Sequence, residues 1–325
     1  MRATLTPAYP VRGSERDKWI LTQRPARVSL DPRRPYAFLV EQECSATGET
    51  IPVATVFLTN RECPWRCLMC DLWRNTLTET VPVGAIPEQI DYAVTRLPPA
   101  RQIKLYNSGS FFDRNAIPVE DYLAIATRVS SFERTIVESH PSLLKESCLQ
   151  FRDLLSNRLE VAMGLETVHP EILDRLNKRM TLDQFSRAAD YLRRNEIDLR
   201  VFILVQPPFM KEDEALYWTE RSLDFAFDCG ATAATLIPTR AGNGAIESLT
   251  QLGEFSPPRL DIVESAASYG LNLRRGRVFV DLWDLETASA ACPTCHSSRI
   301  ERLREMNLRQ QVLNSVSYDC CGGRS

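Results

Sequence analysis

The chain has 325 residues, a formal net charge of −3 and 44% hydrophobic residues. That content is enough for a large buried core, built either as one α/β domain with extensions or as two domains. The acidic balance argues against a generic nucleic-acid-binding protein. No apolar run approaches the roughly 20 residues of a membrane-spanning helix, so we expect no membrane partner.

Residues 1–40 form a basic, proline-rich arm that carries eight Lys or Arg residues against three acids. Such an arm can contact phosphate, but a solvated, loosely ordered extension is its commoner meaning. We predict an N-terminal extension over residues 1–49, a core over 50–250 and a C-terminal extension over 251–325.

Strand-like and helix-like stretches alternate after the arm. The predicted strands cover residues 53–58, 102–106, 135–138, 159–163, 199–205 and 233–237. The predicted helices cover residues 86–97, 119–132, 143–155, 169–176, 182–194 and 213–229. This alternation indicates βαβ crossovers and a parallel sheet. Six units are too few for a closed eight-stranded barrel, so the predicted fold is α/β, an open (βα)6 partial TIM barrel.

The C-terminal extension has a weaker pattern. It predicts a helix over residues 260–269 and a β-like run over 277–282. Ser298 and Glu301 have the spacing of a capping box, which predicts a second helix that runs toward Val312.

Seven of the ten cysteines fall in two groups. We expect no secretory signal, and C-x2-C spacing in such a chain is typical of metal binding rather than of disulfides. The expected location is therefore the reducing cytoplasm.

The first group, Cys63, Cys67 and Cys70, directly follows the first predicted strand. Three thiolates can ligate three irons of a [4Fe–4S] cluster and leave the fourth iron without a protein ligand. Structural zinc needs four ligands, and the loop offers no local fourth, so zinc is the less favoured alternative. We expect Pro64 and Trp65 to stiffen this loop and shield the cluster.

The C-x3-C-x2-C loop resembles the signature of the radical SAM superfamily. That resemblance implies S-adenosylmethionine (SAM) as the ligand of the open iron, with Met69 as apolar bulk near the adenine. It further implies that the segment Ser108-Gly109-Ser110 binds the methionine amino group through backbone oxygens.

The same resemblance implies SAM-binding roles for three charged residues at later strand ends. Glu138 would face the amino or ribose group, Glu166 the ribose hydroxyls and Lys178 the SAM carboxylate. Each residue taken alone reads as a surface or helix-end charge, but their joint placement at successive strand ends favours a cofactor site. His140 and His169 are expected to cap or pack, and no catalytic acid or base is identified.

Within the superfamily the chain has an elongator-type core and is most similar to the archaeosine-biosynthesis family and its bacterial relatives. The segments that carry this similarity are 108–113, 164–167 with Asn177-Lys178, 204–209, 237–239 and 253–258. The resemblance implies radical chemistry on a 7-deazaguanine base in transfer RNA, with a reductant such as a flavodoxin or ferredoxin. The alternatives are a radical SAM enzyme that acts on a small metabolite or peptide, and a non-enzymatic iron–sulfur or zinc protein.

The second cysteine group combines Cys292 and Cys295 with the distant pair Cys320 and Cys321. It has the ligand count of a split four-ligand site. The site would hold zinc through four sulfurs, or through three sulfurs and His296, or it would hold an auxiliary iron–sulfur cluster. The third alternative is no metal, because adjacent cysteine side chains tend to diverge.

Overall fold

The computed structural model describes residues 8–285, 292 and 294–314. Within these ranges eight strands form one sheet, and their order in the sheet is their order in the chain. They are β1 (Ala37–Cys44), β2 (Thr50–Phe57), β3 (Gln102–Tyr106), β4 (Arg134–Glu138), β5 (Arg158–Glu166), β6 (Asp198–Val205), β7 (Ala233–Pro238) and β8 (Arg277–Val280). Strands β2 to β8 are parallel, and β1 pairs antiparallel with β2.

Helices follow most strands, as the alternating pattern predicts. They are α1 (Gly13–Gln23), α2 (Ala85–Val94), α3 (Tyr122–Arg128), α4 (Glu146–Leu154), α5 (Pro170–Arg175), α6 (Leu182–Arg194), α7 (Glu212–Asp228), α8 (Ala245–Gln251), α9 (Leu260–Leu273) and α10 (His296–Arg309). Short 3-10 turns occur at Leu72–Asn75, Val119–Asp121 and Pro141–Leu143. Among the helices in the described ranges, none has the length and apolar character required to cross a bilayer.

The predicted partial TIM barrel with parallel strands is confirmed, and the six predicted strands correspond to β2 to β7. The structure adds a strand at each edge of this set. A short turn folds β1 back onto β2, and β8 from the tail continues the parallel set beyond β7. The sheet therefore draws strands from all three predicted segments, and the division of the chain at residues 50 and 250 remains a prediction.

A layer of buried charges shows that the sheet is curled. Glu43 of β1 accepts hydrogen bonds from Lys104 of β3 (2.5 Å) and from Arg200 of β6 (2.6 Å). Side chains so far apart in the strand order can meet only across the concave side of the sheet. The layer comprises Glu43, Lys104, Arg134, Glu160, Arg200 and Arg277. It lies at the N-terminal end of the strands and leaves their C-terminal end for a site.

The described part of the basic arm is packed onto the molecule, contrary to the expected solvated extension. Trp19 and Ile20 of α1 are buried in one apolar cluster with Leu68, Leu249 and Phe255. Burial of two large apolar side chains stabilises the docked arm by roughly 3–6 kcal/mol before the entropy of ordering is counted.

The predicted capping box at Ser298 is wrong. Helix α10 begins at His296, with Cys295 as its N-cap residue, so Ser298 already lies in the first helical turn. The Arg299 amide donates to the Cys295 carbonyl (3.1 Å), which starts the helical ladder three residues before the predicted cap.

Candidate active site

The cysteine loop lies at the C-terminal edge of the sheet, after β2. Cys63, Cys67 and Cys70 are half-buried free thiols, and burial raises the pKa of each to about 12. The Lys178 ammonium opposes this effect at Cys63 and Cys67, and the backbone N–H of Trp65 also lowers the pKa of Cys63. Thiols of such high pKa ionise at neutral pH when a metal displaces the proton.

The three thiols do not form a site for a single metal ion in the described part of the chain. Within the described residues, no three His, Cys, Asp or Glu side chains converge on a site for one metal ion. A tetrahedral zinc site requires such convergence. A [4Fe–4S] cluster spreads its cysteine ligands over separate irons, so three sulfurs do not need to meet at one point.

Two buried asparagines hold the cysteine loop from other parts of the fold. The Asn243 amide, between β7 and α8, donates to the carbonyls of Leu68 (2.7 Å) and Cys70 (3.3 Å). The Asn177 amide donates to the Arg66 carbonyl (2.7 Å). Sequence reasoning missed Asn243 as an anchor; its only signal was a Gly-Asn-Gly turn motif, which does not indicate a partner more than 170 residues away.

Aromatic and apolar side chains cover the loop. The Trp65 ring stacks on His140, with ring centres 3.9 Å apart. Burial lowers the pKa of His140 to about 4, so the imidazole is neutral, and the predicted packing role is confirmed. His169 accepts from the Ile172 amide (3.4 Å) and caps α5, again as predicted. Met69 packs against an apolar cluster that contains Leu176.

Glu138 organises the segment after β3. Its carboxylate accepts from the backbone amides of Asn107 (2.7 Å) and Gly109 (3.4 Å). Burial raises the pKa of Glu138 to about 7, although these amides and the Lys178 charge favour the ionised form. A Cβ at Gly109 would lie 3.3 Å from the Cβ of Cys63, so the segment passes close to the first cysteine.

The two serine hydroxyls of this segment already contact protein groups. Ser108 Oγ lies 3.0 Å from the Tyr36 hydroxyl, and Ser110 Oγ accepts from the His140 amide (2.8 Å). The Asn107 side chain, by contrast, is fully buried, and neither of its amide atoms has a hydrogen-bond partner within the described chain. A buried amide without partners is costly, and a bound ligand would relieve that cost.

Glu166 and Lys178 form a buried ion pair at the end of β5. Lys178 Nζ lies 2.5 Å from Glu166 Oε1. Burial lowers the pKa of Lys178, but the charges of Glu166 and Cys67 outweigh it, so the net shift is upward. The pair occupies the space beside Gly164 that a side chain would need.

The structure thus brings the first group of predicted residues together. The backbone of Gly109 passes close to Cys63, and Lys178 lies within electrostatic range of Cys63 and Cys67. Glu138 binds the backbone amide of Gly109. Their assignment as SAM ligands remains a prediction.

The second cysteine group is only partly described. Cys295 is buried at the start of α10 and Cys292 is half-buried, whereas Cys320 and Cys321 lie outside the described residues. His296 Nε2 lies 2.7 Å from the Leu285 carbonyl oxygen and is engaged there. A second metal site remains a prediction.

Comparison with known proteins gives consistent matches. The sequence model of the Radical SAM superfamily matches residues 57–217. An uncharacterized protein of Methanocaldococcus jannaschii is 23% identical over 311 residues, covering 89% of this chain and 85% of that protein. Archaeosine synthase subunit beta of Methanosarcina acetivorans is 26% identical over 291 residues, covering 84% and 83%.

Among solved structures, the archaeal Elp3 of Methanocaldococcus infernus, with its N-terminus deleted, is similar at a TM-score of 0.48 and 15% sequence identity. The similarity covers 69% of this chain and 58% of that chain.

Proposed function

The chain belongs to the radical SAM superfamily, and on that premise we propose that it is an enzyme that modifies a base of transfer RNA by radical chemistry. Membership implies cleavage of SAM at an iron–sulfur cluster. When bound, the cluster supplies one electron, and SAM supplies the 5′-deoxyadenosyl radical that removes hydrogen from the substrate.

The observation that carries this proposal is the meeting of the cysteine loop with three charged residues. Glu138 and Glu166 lie at the ends of β4 and β5, and Lys178 lies in the loop between α5 and α6. Cys63, Cys67 and Cys70 would hold the cluster. Glu138 and the backbone of residues 108–110 would orient the SAM amino group.

The buried ion pair would serve the rest of SAM. Glu166 can accept hydrogen bonds from the ribose hydroxyls. Lys178 can share its ammonium between Glu166 and the SAM carboxylate, because an ammonium donates three hydrogen bonds. SAM would therefore replace part of the charge contact between Lys178 and Glu166.

The transfer RNA substrate is supported by the similarity to an archaeosine synthase subunit beta over most of both chains. The motifs described under Sequence analysis point to a 7-deazaguanine base through the same resemblance. The basic arm does not add phosphate contacts as freely as its composition suggests. Arg16 pairs with Asp174 (2.9 Å), and Arg24 pairs with Glu62 (2.7 Å), so part of its charge is neutralised internally.

The first test is SAM cleavage. Anaerobically reconstituted protein, supplied with SAM, dithionite and unmodified transfer RNA, is expected to form 5′-deoxyadenosine, measured by mass spectrometry. Cys67→Ser should abolish the product, whereas Cys229→Ser, a half-buried cysteine outside the loop, should not. No 5′-deoxyadenosine from the wild-type protein with any candidate substrate would contradict the assignment of an enzyme.

The second test separates transfer RNA from a small metabolite or peptide, which the acidic net charge favours. Nucleosides of transfer RNA from cells with and without the gene should differ by mass spectrometry. A gel shift with transfer RNA should weaken steeply as salt rises, because phosphate contacts release counterions. Unchanged nucleosides together with an altered small molecule would favour the alternative.

We further propose a cytoplasmic location, where thiols remain reduced.

We also propose that the C-terminal cysteines hold zinc or an auxiliary iron–sulfur cluster. Metal analysis of Cys292→Ser and Cys295→Ser tests this: loss of zinc, or loss of iron beyond four per chain, supports the site, and an unchanged metal content removes it.

A further inference from the structure

The outer side of the cysteine loop carries a concentration of positive charge, which we call the cationic collar. Its arginines are Arg24, Arg27, Arg61, Arg66 and Arg74. With the carboxylates Glu62 and Asp71 the collar has a net charge of +3, in a chain whose net charge is −3.

Contacts link the collar residues around the largely buried pair Arg24 and Glu62, whose side chains are 7% and 8% exposed. Glu62 accepts a hydrogen bond from Arg24 (2.7 Å) and pairs with Arg27 and with Arg66 (3.2 Å). The Arg24 guanidinium lies 4.6 Å from the centre of the Trp73 ring, and Arg74 approaches the same ring. Arg61 precedes Glu62 and forms a backbone bridge with Leu77.

The collar surrounds exposed apolar side chains beside a cluster ligand. Val28 is 54% exposed, and its amide donates to the Arg74 carbonyl (3.2 Å). Leu72 is 38% exposed and follows Cys70 by two residues. Arg61 is exposed, and its side chain makes no ion pair among the described residues. An apolar centre inside a charged rim is the composition of an interface with a charged protein.

We propose that the cationic collar is the docking surface for a small acidic one-electron carrier protein. This inference deepens the proposed function, because it rests on reductive cleavage of SAM. One electron leaves the reduced carrier and enters the cluster held by Cys63, Cys67 and Cys70, and no bond forms or breaks in that step. Leu72 places the protein surface two residues from Cys70, and the positive collar favours the added negative charge.

The same charge would attract RNA, but the surface is poorly suited to it. Single-stranded RNA is bound by stacking its bases on exposed aromatic rings. Trp73 is buried beneath Arg24, and Trp65 is half-buried with one face of its ring stacked on His140. The exposed apolar side chains, Val28 and Leu72, are aliphatic.

The test uses reconstituted holoenzyme and a bacterial flavodoxin as the acidic carrier. Two readouts are measured: the dissociation constant for oxidised flavodoxin, and the stopped-flow rate of cluster reduction by flavodoxin hydroquinone. Arg61→Glu should raise the dissociation constant about tenfold at low salt and flatten its salt dependence, with a smaller effect for Arg61→Gln.

The matched control is Arg158→Glu, which makes the same charge change at an exposed residue at the opposite, N-terminal end of β5. It should leave both readouts unchanged. Val28→Asp changes the apolar centre instead of the charged rim and should also weaken flavodoxin binding. It provides an independent test if the Arg61→Glu variant fails to hold iron.

Three results would overturn the inference: binding equal to wild type in both Arg61→Glu and Val28→Asp, equal weakening by Arg158→Glu, or loss of transfer RNA binding with flavodoxin binding intact. Formation of 5′-deoxyadenosine with dithionite reports on the proposed function separately. If the protein cleaves SAM with dithionite but fails the flavodoxin test, only the inferred docking surface is rejected and the proposed function stands.

Discussion

Lys178 Nζ and Glu166 Oε1 lie 2.5 Å apart and fill the space that a side chain at Gly164 would need. A Cβ at Gly164 would lie 2.1 Å from Glu166 Oε1 and 2.4 Å from Lys178 Nζ. The backbone itself turns here, because the register of β5 against β6 shifts between Gly164 and Glu166. The irregularity lies at Glu166, whose carboxylate meets Lys178 from the loop between α5 and α6. We expect the SAM ribose and carboxylate at this pair.

Gly164→Ala should weaken SAM binding by about tenfold or more while the protein still folds. The new methyl group displaces only the ends of two flexible side chains, so the core is spared. Isothermal titration with SAM measures the affinity, and thermal unfolding checks the fold. Arg187→Gln, which removes an exposed ion pair with Asp183 in α6, is the control. Wild-type affinity in Gly164→Ala would show that the pair does not contact SAM.

SAM affinity should increase as pH rises from 6 to 7.5, through the pKa of Glu138 near 7. Burial raises that pKa, so the carboxyl is largely neutral at pH 6 and becomes an anion that attracts the SAM ammonium above pH 7. The Lys178 charge, which also faces Glu138, opposes the upward shift.

Titrations at several pH values measure the effect, and Glu138→Gln serves as the control because its side chain cannot ionise. The variant should bind SAM more weakly at pH 7.5 and show a flatter pH profile. If SAM affinity depends on pH in the same way in wild type and in Glu138→Gln, Glu138 does not bind the SAM ammonium.

Asn243→Ala should lower the iron bound after reconstitution and reduce stability by about 1–3 kcal/mol. It leaves the buried carbonyls of Leu68 and Cys70 without their donor. Iron content and chemical denaturation are the measurements. Asn157→Ala removes a comparable amide, which donates to the Val129 carbonyl (2.8 Å) at the other end of the sheet, and should lose stability without losing iron. Equal iron loss in both variants would mean that Asn243 has no specific effect on the loop.

Glu160→Gln should destabilise the fold by about 3–5 kcal/mol, because it leaves the buried charges of Arg134, Arg200 and Arg277 without their shared carboxylate. Chemical denaturation at pH 7 measures the free energy of unfolding. Asp183→Asn, which breaks an exposed pair, should change it little.

The pH dependence of the same variant gives a second check. Burial opposes ionisation of Glu160, but the arginine charges outweigh it and hold the pKa below its ordinary value. The stabilisation is therefore present above the unfolded-state pKa near 4.3 and is lost as pH falls through the lowered folded-state pKa. The difference in the free energy of unfolding between wild type and Glu160→Gln should become smaller at acid pH. A difference that does not change with pH would contradict this account.

The cysteine loop could be predicted because its chemistry is local. Cys63, Cys67 and Cys70 lie within eight residues directly after a strand. The number of candidate ligands and their position could therefore both be predicted from the sequence. The strand ends at Glu138 and Glu166 could be placed on one edge for the same reason, since parallel strands end together. Neither the partner of Glu166 nor the amides that Glu138 binds could be read from spacing.

Residues that hold the site in place escaped prediction. Asn243 reaches Leu68 across 175 residues, and Arg24 reaches Glu62 across 38. Local pattern encodes backbone preference, whereas these partners are set by how distant segments pack. The same reason explains the added strands β1 and β8, whose pairing depends on the edges that the core sheet leaves open.

The sequence alone determined the order of strands and helices and the parallel sheet, and it predicted the ligand set of one metal centre. Periodicity and close spacing are properties of neighbouring residues, so they can be read without the tertiary structure. Only the tertiary structure decided that the basic arm is packed against the cysteine loop, that buried charges close one end of the curled sheet, and that Lys178 meets Glu166. Those outcomes depend on which desolvated charges and apolar faces find partners, and that is settled when the whole chain packs together.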